Sequence, residues 1–490
     1  MKKFFLLITL LMGILLTGCV SDKPHTPGGD NGGNGDDPID DPIEEPEPDP
    51  SHLFTETDNY VVYINLDGFA WYYYDLAVQK GKAKTLQSLK SEGVLFNNLN
   101  NLFPSITNPM QAMIISGASS NQTHNVYRYY DKTTNKVIQQ ARENAAQTIY
   151  DVVVEKKIPV VSVRHFPSES VLSTTDINKL YVSEPSGVVA DAVARFDQAI
   201  KVVRGVPFTS GNTTLTVSEV PRLLTIYCDD LDATGHNEAA YNYNVATSEN
   251  GRLENVLNAL DVIDGKIQEL IDAYKERGIY EKTTFFITTD HGMTPFGAET
   301  LLGGLTSKYS RSKWPDLRDK LKAIDSSFEF EYVAAGKSPA SKTTVVGVSA
   351  GLQMQLTFKK SLTEKELQAI KEELLKENYI GYVFTRNELI RQGYWRGANV
   401  DLMVVPSERY HFHGQSNPSG MYAVKGQHDS YQESSRRIFG IIWGYRVEKR
   451  GDYDGETTVT SFGVAMAEAL GFNLKHANAP RLDIFTPKPE

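Results

Sequence analysis

The sequence predicts an α/β protein, a three-layer α/β/α sandwich with a largely parallel central sheet and a small inserted α+β lid. Three observations support this class. Short apolar, β-prone runs alternate with segments of helical periodicity, the order of a parallel sheet covered by helices on both faces. Three of those runs end at or just before an acid, at Asp67, Asp232 and Asp290, and open α/β sheets gather their ligands beyond the carboxyl ends of strands. Between about residues 300 and 424 the texture becomes a mix of short strands and helices, and "RRIFGIIWG" then resumes the main sheet.

The elements follow in chain order. "YVVYINLDGF" reads as a buried strand closed by Asp67, since strands of parallel sheets are short apolar runs. Phe69, Trp71, Tyr72, Tyr73 and Tyr74 come next; they either open a helix and pack into the core or line a pocket. "AKTLQSLKSEG" is a helix stopped by Gly93. Thr107 precedes "NPMQAMIISG" and suits an N-cap, a role that excludes no other. "AAQTIYDVVVEKKIPVVSV" is a helix leading into a strand, and "RLLTIYCDD" is a further strand. Leu253, Val256, Leu257, Leu260, Ile263, Ile267, Leu270 and Ile271 share one helical stripe, with Gly278 as its stop. That helix feeds "FFITTDHGMTPFG", where Asp290 and His291 end a strand. Within 300–424, "GLQMQLTF", "SLTEKELQAIKEELLKE", "GYVFTRNEL" and "VDLMVVP" form the inserted subdomain.

The chain begins "MKKFFLLITLLMGILLTGCV": two lysines, an apolar core too short for a stable span, then small residues, the order of a secretory signal. Leu16-Thr17-Gly18-Cys19 resembles the lipobox of a bacterial lipoprotein, so residues 1–19 read as a lipoprotein signal that leaves Cys19 lipidated. This implies an extracytoplasmic, membrane-anchored protein, at the cell surface or on the periplasmic side. Residues 20–57 are rich in Gly, Pro and acid and lack the hydrophobes of a core, which makes them a tether. Asp30 to Asp49 holds nine acids and no base, so of the net charge of -11 about -2 remains for everything else. No basic patch argues for a nucleic-acid partner. With Cys19 assigned to lipid, Cys228 stands alone and a disulfide framework is excluded. Nothing in the sequence sets the oligomeric state.

The order LDG, a Thr in a Pro-flanked turn, an Asp followed by Gly-His, TDHG and a late GQH resembles the alkaline phosphatase superfamily. Within it the chain looks most like the nucleotide pyrophosphatase/phosphodiesterase and phosphonoacetate hydrolase branch, over residues 58 to 470. The resemblance implies a catalytic domain at 58–490 with 300–424 as its lid. Asp232, His236 and His428 match the ligands of one zinc, and Asp67, Asp290 and His291 match those of a second. The cofactor is thus two Zn²⁺, with Mn²⁺ or another divalent metal as the alternative; imidazole and carboxylate are usual ligands for zinc. Thr107 matches the nucleophile, which implies a phosphothreonine intermediate and a small-molecule phosphodiester or related phosphoryl substrate.

Some positions depart from the pattern. Nucleotide pyrophosphatases carry a nucleobase-stacking aromatic after the Thr, and Asn108 stands there, as in the phosphonoacetate hydrolases. Both groups hold a phosphoryl oxygen with an Asn past a His-Gly turn. His124 marks that turn, and the position falls near Arg128 or Tyr129. Arg128 either serves that oxygen with a charge or is a solvated surface residue. Arg164 stands where phosphonoacetate hydrolases use lysines. A sulfatase or phosphonate monoester hydrolase is a second enzyme reading, although Thr107-Asn108-Pro109-Met110-Gln111 lacks the Arg of its motif. A non-catalytic surface lipoprotein that binds glycan or phospholipid headgroups is a third. His25, His52, His165, His411, His413 and His476 lie in no such context and read as solvated or structural.

Overall fold

The computed structural model describes residues 54–414 and 420–488. The signal peptide, Cys19, His25, His52 and the tether up to residue 53 lie outside the described residues. Strand β1 (Tyr60–Leu66) lies in the middle of an eight-stranded sheet. On one side it pairs in parallel with Leu223–Cys228, followed by Val160–Val163 and Lys179–Val182. On the other it pairs in parallel with Thr283–Thr288. Beyond that come Gly440–Gly444, β2 (Gly93–Phe96) and Gly451–Tyr453. Gly440–Gly444 is antiparallel to both its neighbours.

Alternation along β1 builds the layers. Val62, Ile64 and Leu66 join a core with Leu86, Phe196, Leu260 and Ile267, whereas Val61 and Tyr63 join another with Met110, Met113, Tyr150 and Phe462. A strand sends successive side chains to opposite faces, so each face of the sheet is closed by its own helices. The helices near the site are α1 (Trp71–Gln79), α2 (Lys84–Leu89) and α3 (Thr107–Ser116). The long stripe is the helix Glu249–Glu276, capped by Ser248, which accepts from the Gly251 N–H, and ended by Gly278 at φ 67°.

Three expectations change. Gly93 is no helix stop: a 3₁₀ turn ends α2, and Gly93 begins β2 at an extended φ of -159°. A Cβ there would lie 2.1 Å from the Ile442 carbonyl oxygen, so the missing side chain permits close strand approach. Thr107 is not an N-cap, because Ile106 holds that position and Thr107 is the first helical residue. The folded body also begins before residue 58. Phe54 is buried against Phe485, and the buried Glu56 pairs with Arg446 at 3.0 Å. The aromatic run packs inward, with Phe69 stacked on Phe439 at 4.5 Å and the Tyr73 hydroxyl accepting from Arg252 at 2.9 Å.

A second, five-stranded sheet runs in the order Phe330–Tyr332, Val345–Ala350, Gln353–Phe358, Leu402–Pro406, Ile380–Thr385. Leu317, Leu356, Phe358, Leu367, Leu374 and Val404 give it a separate core. Its Gly351 turn, at φ 59°, docks on the residues that follow Gln427: a Cβ there would meet the His428 carbonyl oxygen at 2.2 Å. The Leu352 N–H donates to the same oxygen at 3.2 Å.

Candidate active site

Strand register levels the site. Leu66 stands opposite Cys228, and Asn65 opposite both Tyr227 and Thr288, so the three central strands end together. Asp67 leaves the first, and its Oδ2 accepts from the Tyr227 hydroxyl on the second. Gly68, at φ 78°, brings the two turns into contact; a Cβ there would be 2.8 Å from the Asp232 Cα. A short helix, Asp230–Gly235, puts Asp232 and His236 on one face, with Oδ1 and Nε2 3.2 Å apart. The third strand delivers Asp290 and His291. His428 arrives from far along the chain because Lys425–Gln427 pairs antiparallel with Thr294–Phe296. Its ring stacks on His291 with centroids 3.7 Å apart.

All three imidazoles are oriented in the same way. Nδ1 of His236 lies 2.8 Å from the Gly426 oxygen, that of His291 3.0 Å from Gly292 and that of His428 3.1 Å from Ser105. A carbonyl only accepts, so each neutral ring carries its proton on Nδ1 and turns the Nε2 lone pair toward the carboxylates. This is how metal-binding histidines are commonly held. His291 Nε2 is 3.2 Å from Asp67 Oδ1 and 3.6 Å from Asp290 Oδ2, and His428 Nε2 is 4.0 Å from Asp232 Oδ1.

The carboxylates have unmet needs. Asp67 Oδ1, Asp232 Oδ1 and Asp290 Oδ2 are buried without a hydrogen-bond partner, an expensive state for charged oxygens. Ligand atoms of Asp232, His236 and His428 lie within 4.8 Å of one another, as do those of Asp67, Asp232 and His291. Two ligands of one tetrahedral zinc stand about 3.3 Å apart, close to the shorter separations here. The donor set therefore fits divalent cations, with Asp232 placed to serve both groups. Burial, and then Asp290 and Asp232, push the Asp67 carboxyl well above its usual range. Burial opposes charge on Asp232, yet His236, His428 and His291 hold its carboxyl below that range. Burial and the neighbouring His291 press His428 well below its ordinary value.

Thr107 meets this cluster from α3, its Oγ1 3.1 Å from His291 Nε2. Asn108 follows it, half-buried at the first turn. Arg128 is engaged elsewhere: Nε donates to Gln139 at 2.7 Å and Nη1 to the Ser349 carbonyl at 2.9 Å, tying it to the second sheet. Arg164 pairs with Glu184 at 3.1 Å. His124, at φ 55°, does end a tight turn, and its ring stacks on Trp395. Tyr227 and the carbonyls of Ser105, Gly292 and Gly426 are parts of the site that sequence reasoning did not find, because backbone acceptors leave no pattern in a sequence.

Murine ectonucleotide pyrophosphatase/phosphodiesterase 5, solved as an inactive variant in complex with AMP, shares this fold with a TM-score of 0.56 at 14% identity. The match covers 86% of this chain and 97% of that one. The human protein of the same name gives 0.55 at 14% identity, with the same coverage. No curated protein sequence matches the chain. The model of one family, type I phosphodiesterase/nucleotide pyrophosphatase, matches residues 61–431. That span takes in β1, Thr107, the whole second sheet and His428, and by it the chain belongs to the type I phosphodiesterase/nucleotide pyrophosphatase family of the alkaline phosphatase superfamily, and is a phosphodiesterase-type hydrolase.

Proposed function

We propose that the chain hydrolyses a small phosphodiester in two displacements through a phosphothreonine at Thr107. The observation that carries this is the placement of Thr107 Oγ1 beside His291 Nε2, among three buried carboxylates that lack partners. Asp232, His236 and His428 would hold one zinc, and Asp67, Asp290 and His291 the other. Bound there, the cations supply positive charge that favours the threonine alkoxide and the departing oxygen.

The chain's own groups do the rest. Thr107 sits at the first position of α3, a helix of ten residues, so the N–H groups of Thr107 and Asn108 and the helix dipole would favour a phosphoryl oxygen bound there. In the first displacement the Oγ1–P bond forms, the ester P–O bond breaks, and the hydroxyl proton passes to solvent. In the second, water attacks phosphorus, and Thr107 leaves with its oxygen and regains a proton. The Nδ1 anchors at Gly426, Gly292 and Ser105 hold the histidines still through both steps. Asn108 is too small to stack a nucleobase, so the reading favours a diester without nucleotide selectivity. Arg128 and the second sheet to which it is tied would form the outer wall, with 300–424 as a cap. The amino-terminal pattern supports an extracytoplasmic protein anchored through Cys19.

The test is turnover of bis-p-nitrophenyl phosphate, p-nitrophenyl phosphate, p-nitrophenyl phenylphosphonate and p-nitrophenyl sulfate by the zinc-loaded protein, beside Thr107→Ala. Diester turnover should dominate and vanish in the variant, with metal content unchanged. A variant that retains diester turnover would remove Thr107 as the nucleophile, and faster sulfate or phosphonate hydrolysis would overturn the substrate class.

A further inference from the structure

Two amides stand in elements that are otherwise largely apolar. Asn65 is fully buried in β1, and Gln111 is fully buried in α3. A buried amide without partners is costly, and these two partner each other: Gln111 Nε2 donates to Asn65 Oδ1 at 2.7 Å. The other end of Gln111 is used as well. Its Oε1 lies 2.9 Å from His165 Nε2, and since an amide oxygen only accepts, His165 carries its proton there. His165 Nδ1 then accepts from the Tyr150 hydroxyl, which also lies 2.9 Å from Thr225 Oγ1. Asn65 Nδ2 in turn donates to the Tyr63 hydroxyl at 2.9 Å. Every member of this chain is buried, and linked bonds in such surroundings reinforce one another.

The location gives the chain its meaning. Residues four apart share a helix face, and residues two apart share a sheet face. Gln111 therefore lies one turn below Thr107 on α3, and Asn65 is the next-to-last residue of β1, two before Asp67 in the turn that follows. Four helical residues rise about 6 Å and two strand residues about 6.6 Å, so the amide bond joins the same two elements one step below the site. The neighbouring contacts of α3 through Met110, Met113 and Ile114 are apolar, and apolar contact is non-directional. Asn144 holds the far end of α3, its Nδ2 3.0 Å from Ser116 Oγ, and the Ser105 turn leads into the near end, whereas the bond from Gln111 to Asn65 ties α3 to β1 itself.

We propose that Gln111 is a positioning residue for Thr107: bridged between Asn65 and His165, it sets α3 against β1 and so places Thr107 Oγ1 relative to Asp67 and His291. The proposal rests on the reading of Thr107 as the nucleophile. Misplacing a reacting atom by about 1 Å costs on the order of a hundredfold in rate, whereas substrate binding need not change.

The experiment uses the zinc-loaded full chain and bis-p-nitrophenyl phosphate. Gln111→Met keeps the unbranched length and Asn65→Leu the Cγ branching of the side chain, and they remove the bond from either side. Each should lower kcat at least tenfold, leave KM within twofold and leave zinc content at the wild-type level. The double variant should fall no further than the singles, the signature of one shared interaction. Asp264→Asn is the control: it weakens two backbone bonds at the start of α2, to Thr85 and Leu86, outside this network, and should leave kcat within twofold. A Gln111→Met kcat within twofold of wild type overturns the proposal, and so does an equal kcat loss in the control at matched stability. If Gln111→Met does not fold, Asn65→Leu removes the same bond from the β1 side, and a wild-type kcat there is equally fatal. Thr107→Ala separates the two readings. Full turnover in that variant removes the nucleophile and the positioning role together, whereas a dead Thr107→Ala beside a fast Gln111→Met removes the positioning role alone.

Discussion

Asp67→Asn should stabilise the metal-free protein and weaken the metal-loaded one. Asp67 is 2% exposed, its Oδ1 has no hydrogen-bond partner, and its nearest charged oxygen on Asp232 lies within 4.8 Å. At an effective dielectric of about 20, two like charges at that separation repel by about 3 kcal/mol. Protonation sets a ceiling, because neutralising a carboxylate of ordinary pKa at pH 7 costs about 4 kcal/mol. Asparagine removes this strain while its oxygen still accepts from Tyr227, so the metal-free variant should be more stable by about 3 kcal/mol. For a body of this size that is a rise of roughly 3 °C in Tm. The sign with pH also follows. Burial, Asp290 and Asp232 raise the folded pKa of Asp67, so the folded chain retains a proton that the unfolded chain has released. Its unfavourable contribution grows as pH rises from about 4, and the advantage of Asn shrinks as pH falls toward 4. Calorimetry in EDTA at pH 7.5 and pH 5, repeated with excess zinc, is the assay. Zinc at a thousand times its Kd adds about 4 kcal/mol to the wild type, and a variant that gains nothing at this site keeps only its advantage of about 3 kcal/mol, so the order of Tm values inverts by about 1 °C. A metal-free variant that melts several degrees below wild type would show that the Asp67 carboxylate serves a structural bond rather than a cation.

Two further outcomes follow from the geometry. Gly351→Ala places a methyl 2.2 Å from the His428 carbonyl oxygen at a positive φ, so it should cost about 2–4 kcal/mol and weaken zinc binding; denaturant titration and zinc competition read both. Burial lowers His165 to about 3 against roughly 6.5 unfolded, so its contribution is present above pH 6.5 and is lost as pH falls toward 3. Metal-free wild type should lose about 2 kcal/mol from this group between pH 7 and pH 5, a loss absent from His165→Gln in paired urea titrations.

The strands are legible because a buried parallel strand is a short apolar run, and Asp67 and Asp290-His291 stand out as the polar residues that close two of them, whereas Asp232, His236 and His428 are picked out as candidate ligands by the resemblance. Gly93 reads as a stop because a glycine after a helix is more often a C-terminal cap, and only the neighbouring strand's Ile442 carbonyl reveals the other reason for it. The Phe54, Glu56 and Arg446 contact was hidden by a composition that shifts gradually from the tether into the fold. The Asn65, Gln111 and His165 chain joins residues 46 and 54 positions apart, which no local periodicity can report. One trace of it was visible: "YVVYINL" and "PMQAMII" each hold a single amide among apolar residues, and two such amides in buried elements need partners. Of the two readings its sequence context leaves, solvated or structural, full burial excludes the first for His165.

The inserted segment is more than a cover placed beside a finished site. It lies in sequence between His291 and His428, and its hairpin touches the second of these: Leu352 donates to the His428 carbonyl, and Gln353 Nε2 donates to Asp429 Oδ1 at 2.6 Å. Asp429 Oδ1 also accepts from the Ser105 N–H at 3.1 Å, and the Ser105 carbonyl accepts from both the Asp429 N–H and His428 Nδ1. Ser105 is two residues before Thr107. The second sheet, the His428 turn and the Thr107 turn are thus one hydrogen-bonded unit with no water-exposed joint among Ser105, Gln353 and Asp429, all of which are buried. Lifting this hairpin would break both of its bonds to the turn, Leu352 to His428 and Gln353 to Asp429, and so disturb a candidate ligand and, through Ser105, the approach to the candidate nucleophile. The hairpin that carries Gly351 is thus part of the wall that holds His428 and the turn before Thr107, and a substitution that loosens it should be felt at both.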